Sequence, residues 1–360
     1  MLIIDAHLDL SMNAIQGNRD LRQSAYTIRT QENRTPAKGK AQGTVAFPEM
    51  HQGRIGLSIV TLIARSTGQP APHIDYASVA QAYGMAHGQL AYYRALEIEG
   101  DIRIIEDRTA LINHIEEWQV WENSETFTPD PSPPLGFVLS MEGADPIMNP
   151  AQLEEWWQKG LRLLGPTHYG PGRYAGGTGT ELGLTELGAP LLKEMMRLGI
   201  PLDCTHLSDQ AFWASLEIYQ GPLLASHNNC RALVPHQRQF SDEQLAAIIE
   251  RDGVIGVALD TWMLEPGWIV GHSTNENVTL TTVVDHIDHI CQLAGNSRHA
   301  AIGTDLDGGF GREQSPSDLD TIADLQKIPQ ILAERGYSVD DRKAIMHGNW
   351  VRFLGESLPS

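Results

Sequence analysis

From residue 185 to residue 227 the chain reads TELGAPLLKEMMRLGIPLDCTHLSDQAFWASLEIYQGPLLASH. Two helical patterns, Thr185–Leu198 and Asp209–Tyr219, alternate here with two short apolar runs, Pro201–Asp203 and Leu223–Ala225. Short buried runs joined through helices are typical of parallel strands, because a parallel pair needs a long crossover connection. This segment therefore predicts two strand–helix units of a parallel sheet.

The same alternation extends along the rest of the chain. The apolar runs that predict strands are Leu2–Asp5, Ile55–Ala64, Ile102–Ile105, Gly136–Ser140, Leu161–Leu164, Pro201–Asp203, Leu223–Ala225, Val254–Ala258 and Ala300–Gly303. The segments that predict helices are Tyr76–Glu99, Arg108–Glu122, Leu153–Lys159, Thr185–Leu198, Asp209–Tyr219, Asp242–Arg251, Leu280–Ala294, Leu319–Arg335 and a final helix over Val339–Met346. About eight such units predict an α/β fold, a (β/α)₈ TIM-like barrel, as one domain over residues 1–360. An open doubly wound sheet is the alternative, but no Gly-rich nucleotide loop follows an early strand.

Two irregular segments interrupt the pattern. The Pro-rich run Thr128–Pro134 indicates a stiff connector into the next strand rather than a domain linker. Residues 170–183 are rich in glycine and lack periodicity. They predict a long loop, and long loops in compact domains are often functional.

The composition excludes several classes of protein. The 360 residues include 26 Lys and Arg against 45 Asp and Glu, a net charge of −19, with 41% hydrophobic and 20% charged residues. Such a chain folds around a core, and its acidity argues against a nucleic acid or an anionic membrane as partner. The three cysteines do not make a disulfide framework and fit a reducing compartment. Without a recognisable signal peptide, transmembrane segment or lipid-anchor signal, we expect a cytoplasmic protein with no membrane anchor.

Histidines and carboxylates follow the predicted strands where each strand ends. His7 and Asp9 follow the first strand, Glu142 the fourth, and His206 and His227 the sixth and seventh. In a barrel the carboxyl ends of the strands form the active face, which brings such side chains together. Any one of them alone is more often structural. Together they are too many for one tetrahedral zinc, and they suit two cations about 3.5–4 Å apart that share a carboxylate.

Longer motifs resemble one known family. They are Ile4–Leu10, Ser140–Gly143, Leu164–His168, Gly183–Gly188, Leu198–His206, Ala225–Leu233, Arg238–Asp242, Asp285–Ile290 and Ile302–Gly308. In this order they resemble the membrane (renal) dipeptidases, peptidase family M19, among the amidohydrolase-like metal-dependent hydrolases. The resemblance covers nearly the whole chain. It implies a metallo-dipeptidase that cleaves the peptide bond of L-L and also L-Xaa-D-Xaa dipeptides, and it suggests a homodimer.

The resemblance also implies a ligand set. His7 and Asp9 match the ligands of one Zn²⁺, His206 and His227 match those of a second, and Glu142 matches the carboxylate that bridges them. Two Zn²⁺ per subunit are therefore expected, with Mn²⁺ or Co²⁺ as alternatives because such nitrogen and oxygen sites also accept them. A hydroxide that bridges the two ions is expected to attack the peptide carbonyl.

Three further residues are expected to act on the substrate. The resemblance implies that His168 contacts the scissile carbonyl, that Arg238 binds the α-carboxylate and that Asp305 shuttles the proton. A guanidinium fits a carboxylate through its bidentate fork, which agrees with the role of Arg238. Two alternatives stay open, since Asp307 could replace Asp305 as the shuttle and Arg231 could replace Arg238 as the anchor.

Other segments bear on specificity. The loop Tyr169–Thr180 and the segment Leu259–Glu265 differ from the vertebrate pattern and are expected to border the side-chain pockets, which leaves the preferred dipeptide open. Arg173 in that loop either binds an acidic side chain of the substrate or is an ordinary exposed arginine. His286 and His289 stand three apart on a helical pattern, which is typical of a solvated face, and we expect them to be non-catalytic.

Two other functions remain open from the sequence. One is a related metal-dependent amidohydrolase that acts on a cyclic amide, a lactone or an N-acyl amino acid, and a preference for N-acylated substrates would favour it. The other is a non-catalytic binding protein on a retained barrel. The intact ligand positions argue against that second alternative.

Overall fold

Parallel strands make the framework, and each lies where the sequence predicts one. The computed structural model describes residues 1–35, 37–71, 74–123 and 132–360. The strands are β1 (Ile3–Leu8), β2 (Ile55–Leu62), β3 (Ile102–Ile104), β4 (Leu135–Glu142), β5 (Leu161–Gly165), β6 (Leu202–Asp203), β7 (Leu223–Ala225), β8 (Val254–Val257) and β9 (Ala300–Ile302). Over the described residues they form a 9-stranded sheet in the order β1-β2-β4-β5-β6-β7-β8-β9. β3 pairs with the beginning of β4, and β5 pairs with its end.

The two ends of this path meet, so the sheet closes into a barrel. The Thr304 N–H and hydroxyl, just beyond β9, donate to the Asp5 carboxylate in β1 at 2.8 and 2.6 Å. The Asp305 N–H donates to the His7 carbonyl oxygen at 3.2 Å. Asp5 is buried, and burial raises its pKa to about 6 although the Thr304 donors counteract the shift. The predicted TIM-like barrel is confirmed.

Helices connect the strands and cover the barrel. They are α1 (Leu10–Ile15), α2 (Ala25–Glu32), α3 (Phe47–Gln52), α4 (Val79–Glu99), α5 (Arg108–Glu122), α6 (Leu153–Gln158), α7 (Gly188–Leu198), α8 (Asp209–Ile218), α9 (Asp242–Glu250), α10 (Leu280–Ala294), α11 (Ile328–Glu334), α12 (Val339–Lys343) and α13 (Asn349–Ser357). Short 3₁₀ turns lie at Pro150–Gln152, Thr261–Met263, Arg312–Gln314 and Ile322–Lys327, and a π turn lies at Ala344–Gly348.

Capping residues define where the helices next to the strand ends begin. The Ser208 side chain accepts the N–H of Ala211 at the start of α8, and the Ser241 side chain accepts the N–H of Gln244 at the start of α9. Gly199 adopts the left-handed conformation with φ 70° and ends α7, where a side chain would be strained. These caps fix the loops that link β6 to α8 and β7 to α9.

The strands are buried on both faces. Every residue of β2 and β4 is buried, as expected for parallel strands between layers of helices. The buried apolar residues form a cluster that extends from Leu2 to Leu358. A single domain over residues 1–360 remains a prediction. Among the helices of the described ranges, none combines the length and the apolar character needed to cross a bilayer.

Some helices depart from the predictions. The described residues between β1 and β2 hold α1, α2 and α3, which we did not predict, and α13 follows the helix predicted as the last. The predicted helix Leu319–Arg335 is divided into a 3₁₀ turn and α11, because Pro329 lacks an N–H and is tolerated only in the first turn of α11. The Trp350 Nε1–H on α13 donates to the Ile302 carbonyl oxygen at 2.9 Å, so this helix packs against the end of β9. Residues 128–131 of the predicted Pro-rich connector lie outside the described residues.

Candidate active site

The strand ends bring the five predicted metal ligands together. His7 and Asp9 lie at the end of β1, Glu142 ends β4, and His206 and His227 follow β6 and β7. All five are buried. Within the described ranges their ligand atoms form two groups, His7 with Asp9 and Glu142, and Glu142 with His206 and His227, in which all atoms lie within 4.8 Å of one another. Glu142 belongs to both groups.

Glu142 stands at the centre of these side chains. Its Oε1 atom is 3.2 Å from His206 Nε2, 3.3 Å from His227 Nε2 and 3.6 Å from His7 Nε2. Glu142 Oε1 and His7 Nε2 have no hydrogen-bond partner in the part of the chain that the structure describes. A buried polar atom left without a partner costs about 1–3 kcal/mol. Converging imidazole and carboxylate atoms of this kind fit divalent cations such as zinc.

Hydroxyl groups orient two of the imidazoles. Thr178 Oγ1 lies 2.9 Å from His206 Nδ1, and Ser226 Oγ lies 2.8 Å from His227 Nδ1. Ser226 can donate its own hydrogen to Thr205 Oγ1 at 3.4 Å and thus accept one from the ring. An acceptor at Nδ1 leaves the Nε2 lone pair free for a metal, which is the usual arrangement around metal-binding histidines.

Burial sets the charges of the cluster. It lowers the pKa of His7 to about 3 and holds the pKa values of His206 and His227 well below 6.5, so these imidazoles are neutral at pH 7. Burial also raises the pKa of Asp9 to about 6 and that of Glu142 well above 4.5, and the negative charge of Asp9 adds to the shift of Glu142. Bound divalent cations would favour the ionised carboxylates and so lower these two pKa values again.

Asp305 lies at the edge of the same cluster. Its Oδ1 atom is 3.8 Å from His7 Nε2, and its side chain is 17% exposed. Asp305, His7 and His227 form a third group of close ligand atoms. Asp305 therefore has access both to the cluster and to the mouth of the barrel.

Asp307 has a different environment. Its carboxylate accepts the N–H groups of Thr44 and Val45 at 2.7 and 3.1 Å and pairs with Arg19 Nη1 at 3.3 Å. These bonds attach the end of β9 to the segment before α3. The geometry thus favours Asp305 over Asp307 as the residue next to the reaction.

The two candidate arginines also differ. Arg238 is 2% exposed, and it donates from Nη1 to Asn228 Oδ1 at 2.6 Å and from Nη2 to the His227 carbonyl oxygen at 2.9 Å. Its Nε has no partner among the described residues. Arg231 forms a bidentate pair with Asp209 at 2.9 and 2.7 Å. Arg238 is therefore the guanidinium beside the predicted metal ligands, and Arg231 is held by a surface carboxylate.

His168 lies beside the cluster. Its Nε2 atom is 3.8 Å from Glu142 Oε1, and its ring centroid is 4.3 Å from that of His206. The close ligand groups found in the described ranges do not include it. This position suits a contact with a substrate atom beside the predicted metal ligands.

One family matches almost the entire chain. A family model described as membrane dipeptidase (peptidase family M19) matches residues 1–358. The chain belongs to peptidase family M19. It is a metallo-dipeptidase, a hydrolase whose family uses metal ions, and the predicted family is confirmed.

Individual proteins are similar to this chain in sequence or in structure. Dipeptidase aclJ of Aspergillus oryzae is 26% identical over 320 residues, which cover 87% of this chain and 70% of that protein. A Klebsiella pneumoniae protein described as "uncharacterized protein in pqqA 5′ region" is 31% identical over 229 residues, 61% of this chain and 81% of that protein. A crystal structure of a metallopeptidase from Rhodobacter sphaeroides, liganded with a phosphinate mimic of L-Ala-D-Ala, is 24% identical with a TM-score of 0.76 over 99% of both chains. That structural likeness shows the fold.

Tyr169 is a site residue that sequence reasoning treated only as part of a loop. In this M19 family member its ring centroid lies 4.8 Å from that of His168 and 5.0 Å from that of His206. The residue remains 38% exposed to solvent. The sequence signal that could have placed Tyr169 at the site is its position directly after His168.

The two segments expected to border the substrate pockets have distinct contacts. The Arg173 N–H donates to Asp145 Oδ1 at 2.7 Å and its Nη2 donates to the Met148 carbonyl oxygen at 2.8 Å, which attaches the Gly-rich loop to the segment after β4. Asp260 is buried, accepts the Trp262 Nε1–H at 2.7 Å and raises the pKa of Asp305 by its charge. Asp260 thus contributes to the shift of the Asp305 pKa, which burial and the charge of Asp9 cause in larger part.

The solvated face predicted for His286 is wrong. His286 is 1% exposed, and its Nδ1 accepts the Cys230 N–H at 3.1 Å. His289 is half-buried and lies 2.7 Å from Asp242 Oδ1 through its Nε2. The helix α10 packs His286 inward because the backbone after His227 offers an N–H that needs an acceptor. That both histidines are non-catalytic remains a prediction.

We expect His286→Asn to make the protein less sensitive to acid. Burial lowers the pKa of His286 to about 3, so the neutral ring stabilises the fold fully above pH 6.5, and this contribution falls as the pH drops below 6.5. Between pH 6.5 and 4.5 the free energy of unfolding of the wild type should fall by about 2–3 kcal/mol more than that of the variant. Urea unfolding at each pH measures this difference. His289→Asn on the same helix is the control, and an identical acid dependence of the wild type and His286→Asn would contradict the expectation.

Proposed function

We propose that the chain hydrolyses the peptide bond of dipeptides with the help of two divalent cations, zinc in the first instance. His7, Asp9 and Glu142 would hold one cation, and Glu142, His206 and His227 the other. The observation that supports this most strongly is the Glu142 Oε1 atom, which lies 3.2–3.6 Å from three imidazole Nε2 atoms. A carboxylate shared by two cation sites explains why this oxygen lacks a hydrogen-bond donor among the described residues.

The protein side chains would complete the chemistry. Bound cations of this kind lower the pKa of a water molecule and polarise a carbonyl group. Asp305, next to His7 and partly exposed, would accept a proton from the attacking water and deliver it to the leaving amine. Burial and the charge of Asp9 raise the pKa of Asp305 well above 3.8, which suits an acid that must give the proton back.

Two further residues would bind the substrate. His168 would donate from Nε2 to the carbonyl oxygen as negative charge develops there. Arg238 would bind the free α-carboxylate, since its Nε–H is buried without a partner in the described ranges. A cationic group in this place would favour short peptides with a free C-terminus.

A screen of L-L and L-D dipeptides on zinc-, manganese- and cobalt-loaded protein tests this proposal. The phosphinate mimic of L-Ala-D-Ala bound by the Rhodobacter sphaeroides metallopeptidase makes L-Ala-D-Ala a natural member of the panel. N-acetylated dipeptides are the comparison, and faster turnover of the acetylated series than of the free dipeptides would contradict dipeptidase function. The homodimer and the cytoplasmic location remain predictions from the sequence.

We expect Arg238→Met to raise KM for dipeptides by about 10- to 100-fold, because one charged hydrogen bond contributes about 1.5–3 kcal/mol. The effect should vanish for dipeptides with an amidated C-terminus, which lack the carboxylate. Arg231→Met is the matched control, since that guanidinium pairs with Asp209. Equal losses on the free and the amidated substrates would contradict the assignment.

A further inference from the structure

His168 has an unusual partner for a histidine beside a metal cluster. Arg65 follows β2, and its Nη1 lies 3.3 Å from His168 Nδ1 in hydrogen-bonding geometry. A guanidinium carries hydrogens on every nitrogen and can only donate. His168 Nδ1 must therefore present its lone pair, which places the ring hydrogen on Nε2.

We propose that Arg65 is a positioning residue that fixes His168 in the tautomer with the hydrogen on Nε2. In this tautomer the Nε2 atom of His168, which lies next to Glu142, is a hydrogen-bond donor. An Nε2 that carries a hydrogen cannot bind a metal ion, so the same bond excludes His168 from the ligand set. Arg65 thus separates the substrate-binding histidine from the metal-binding ones, a role that rests on the proposed dipeptide hydrolysis.

The neighbouring histidines have the opposite arrangement. Thr178 and Ser226 hydroxyls, which can accept a hydrogen, lie at the Nδ1 atoms of His206 and His227. The Nε2 atoms of these two rings lie 3.1 Å from each other, and with the ring hydrogens on Nδ1 both can turn their lone pairs toward a shared cation. The group at Nδ1 therefore decides the role of each imidazole. A hydroxyl at Nδ1 leaves Nε2 free to bind a metal ion, whereas a guanidinium at Nδ1 makes Nε2 a hydrogen-bond donor.

Arg65 is itself held in place. Its Nε lies 3.6 Å from Asp75 Oδ2, with the two side chains 15% and 3% exposed. Asp75 accepts the Thr67 N–H at 3.1 Å and the Thr67 hydroxyl at 2.6 Å. The Arg65 backbone also binds the same loop, since its N–H donates to the Ile74 carbonyl oxygen at 2.8 Å. The Arg65 Nε has no hydrogen-bond partner among the described residues, so the ion pair with Asp75 and the backbone bond to Ile74 keep the guanidinium beside His168 Nδ1.

The barrel contains an independent example of this arrangement. Arg103 Nη1 lies 3.2 Å from His114 Nδ1, and the other ring nitrogen, Nε2, lies 2.7 Å from the Gly56 carbonyl oxygen. A carbonyl oxygen only accepts, so His114 must carry its hydrogen on Nε2. The pair supplies an internal reference for the tautomer expected of His168, remote from the active site.

The tautomer can be read directly by NMR. In zinc-loaded protein labelled with ¹⁵N-histidine, two-bond ¹H–¹⁵N correlations distinguish a ring nitrogen that carries hydrogen from one that does not. His168→Asn identifies the signals of His168, and those of His114 give the reference pattern. We expect His168 to match His114, with hydrogen on Nε2. Hydrogen on Nδ1, or a ¹⁵N shift that shows zinc bound to His168, would overturn the proposal whether or not dipeptides are hydrolysed.

Kinetics provide the second readout. We expect Arg65→Met to lower kcat by about 10- to 100-fold and to change KM by less than about threefold, because Arg65 acts through His168 on the transition state. Zinc content and melting temperature should stay those of the wild type, and the His168 signals should move toward a mixture of tautomers. Arg103→Met is the matched control and should leave kcat unchanged. A rise in KM at constant kcat would overturn the proposal, because it would show that Arg65 binds substrate directly. Absence of turnover in the wild type would instead contradict the proposed function. The tautomer of His168 could still be measured by NMR in that case.

Discussion

Replacing Glu142 with glutamine should leave the protein unable to hold a pair of zinc ions and should lower kcat/KM for dipeptides by about 1,000-fold or more. Glutamine keeps the shape of the side chain but not the charge that two cations would share. The contribution of metal ions to catalysis is several kcal/mol, and about 1.4 kcal/mol corresponds to a factor of ten. Metal analysis of dialysed protein and kinetics on the same samples measure both effects.

A matched substitution separates this effect from a general loss of structure. Glu49 is also buried, its Oε2 accepts the Ala25 N–H at 3.0 Å, and it belongs to none of the close ligand groups of the described residues. Glu49→Gln should retain the wild-type zinc content. Metal-free Glu142→Gln should unfold at no lower temperature than the metal-free wild type, because the substitution removes a buried charge. Full zinc content with full activity in Glu142→Gln would contradict the shared carboxylate.

Asp305→Asn should lower kcat by about 100- to 10,000-fold, the usual contribution of a positioned acid or base. KM and zinc content should change little, because the five predicted ligands remain. The expected kinetic signature is therefore a loss of kcat and kcat/KM in equal measure, which indicates an interaction made in the transition state. Steady-state kinetics at saturating zinc measure it.

Asp307→Asn is the matched control for this experiment. Asp307 accepts the Thr44 N–H and pairs with Arg19, so its replacement should lower the free energy of unfolding by about 1–3 kcal/mol. The folded variant should retain kcat. The opposite result, a catalytic loss in Asp307→Asn and normal turnover in Asp305→Asn, would show that the two aspartates are reversed.

The strands could be predicted because a buried parallel strand has a simple sequence signal. Runs such as Ile55–Leu62 are apolar and β-branched on both faces, and helices return the chain between them. The segment between β1 and β2 was not predicted as helical because α1 and α3 have only six residues each. Helices of that length depend on tertiary contacts rather than on their own periodicity. The break before α11 is caused by a single proline. Because one proline leaves the apolar periodicity on both sides intact, the segment still reads as one helix.

The ligand set could be predicted because each ligand is next to the end of a strand, and a barrel gathers strand ends on one face. The partners of His168, which lies beside these ligands, gave no such signal. Arg65 and Tyr169 are ordinary loop residues in sequence, and only their distances of 3.3 Å and 4.8 Å from the His168 ring show their relation to the site. His286 was misjudged because a polar residue on a helix usually faces solvent, and its acceptor role depends on the Cys230 N–H of a distant loop.

Anomalous diffraction at the zinc edge, from crystals grown in zinc, shows whether two cations share Glu142. We expect two anomalous peaks at the carboxyl ends of the strands, both within about 2.0–2.2 Å of Glu142 oxygens. One peak should lie next to His7 and Asp9, and the other next to His206 and His227. A single peak in this cluster, or two peaks that do not share Glu142, would rule out a two-cation site bridged by this carboxylate.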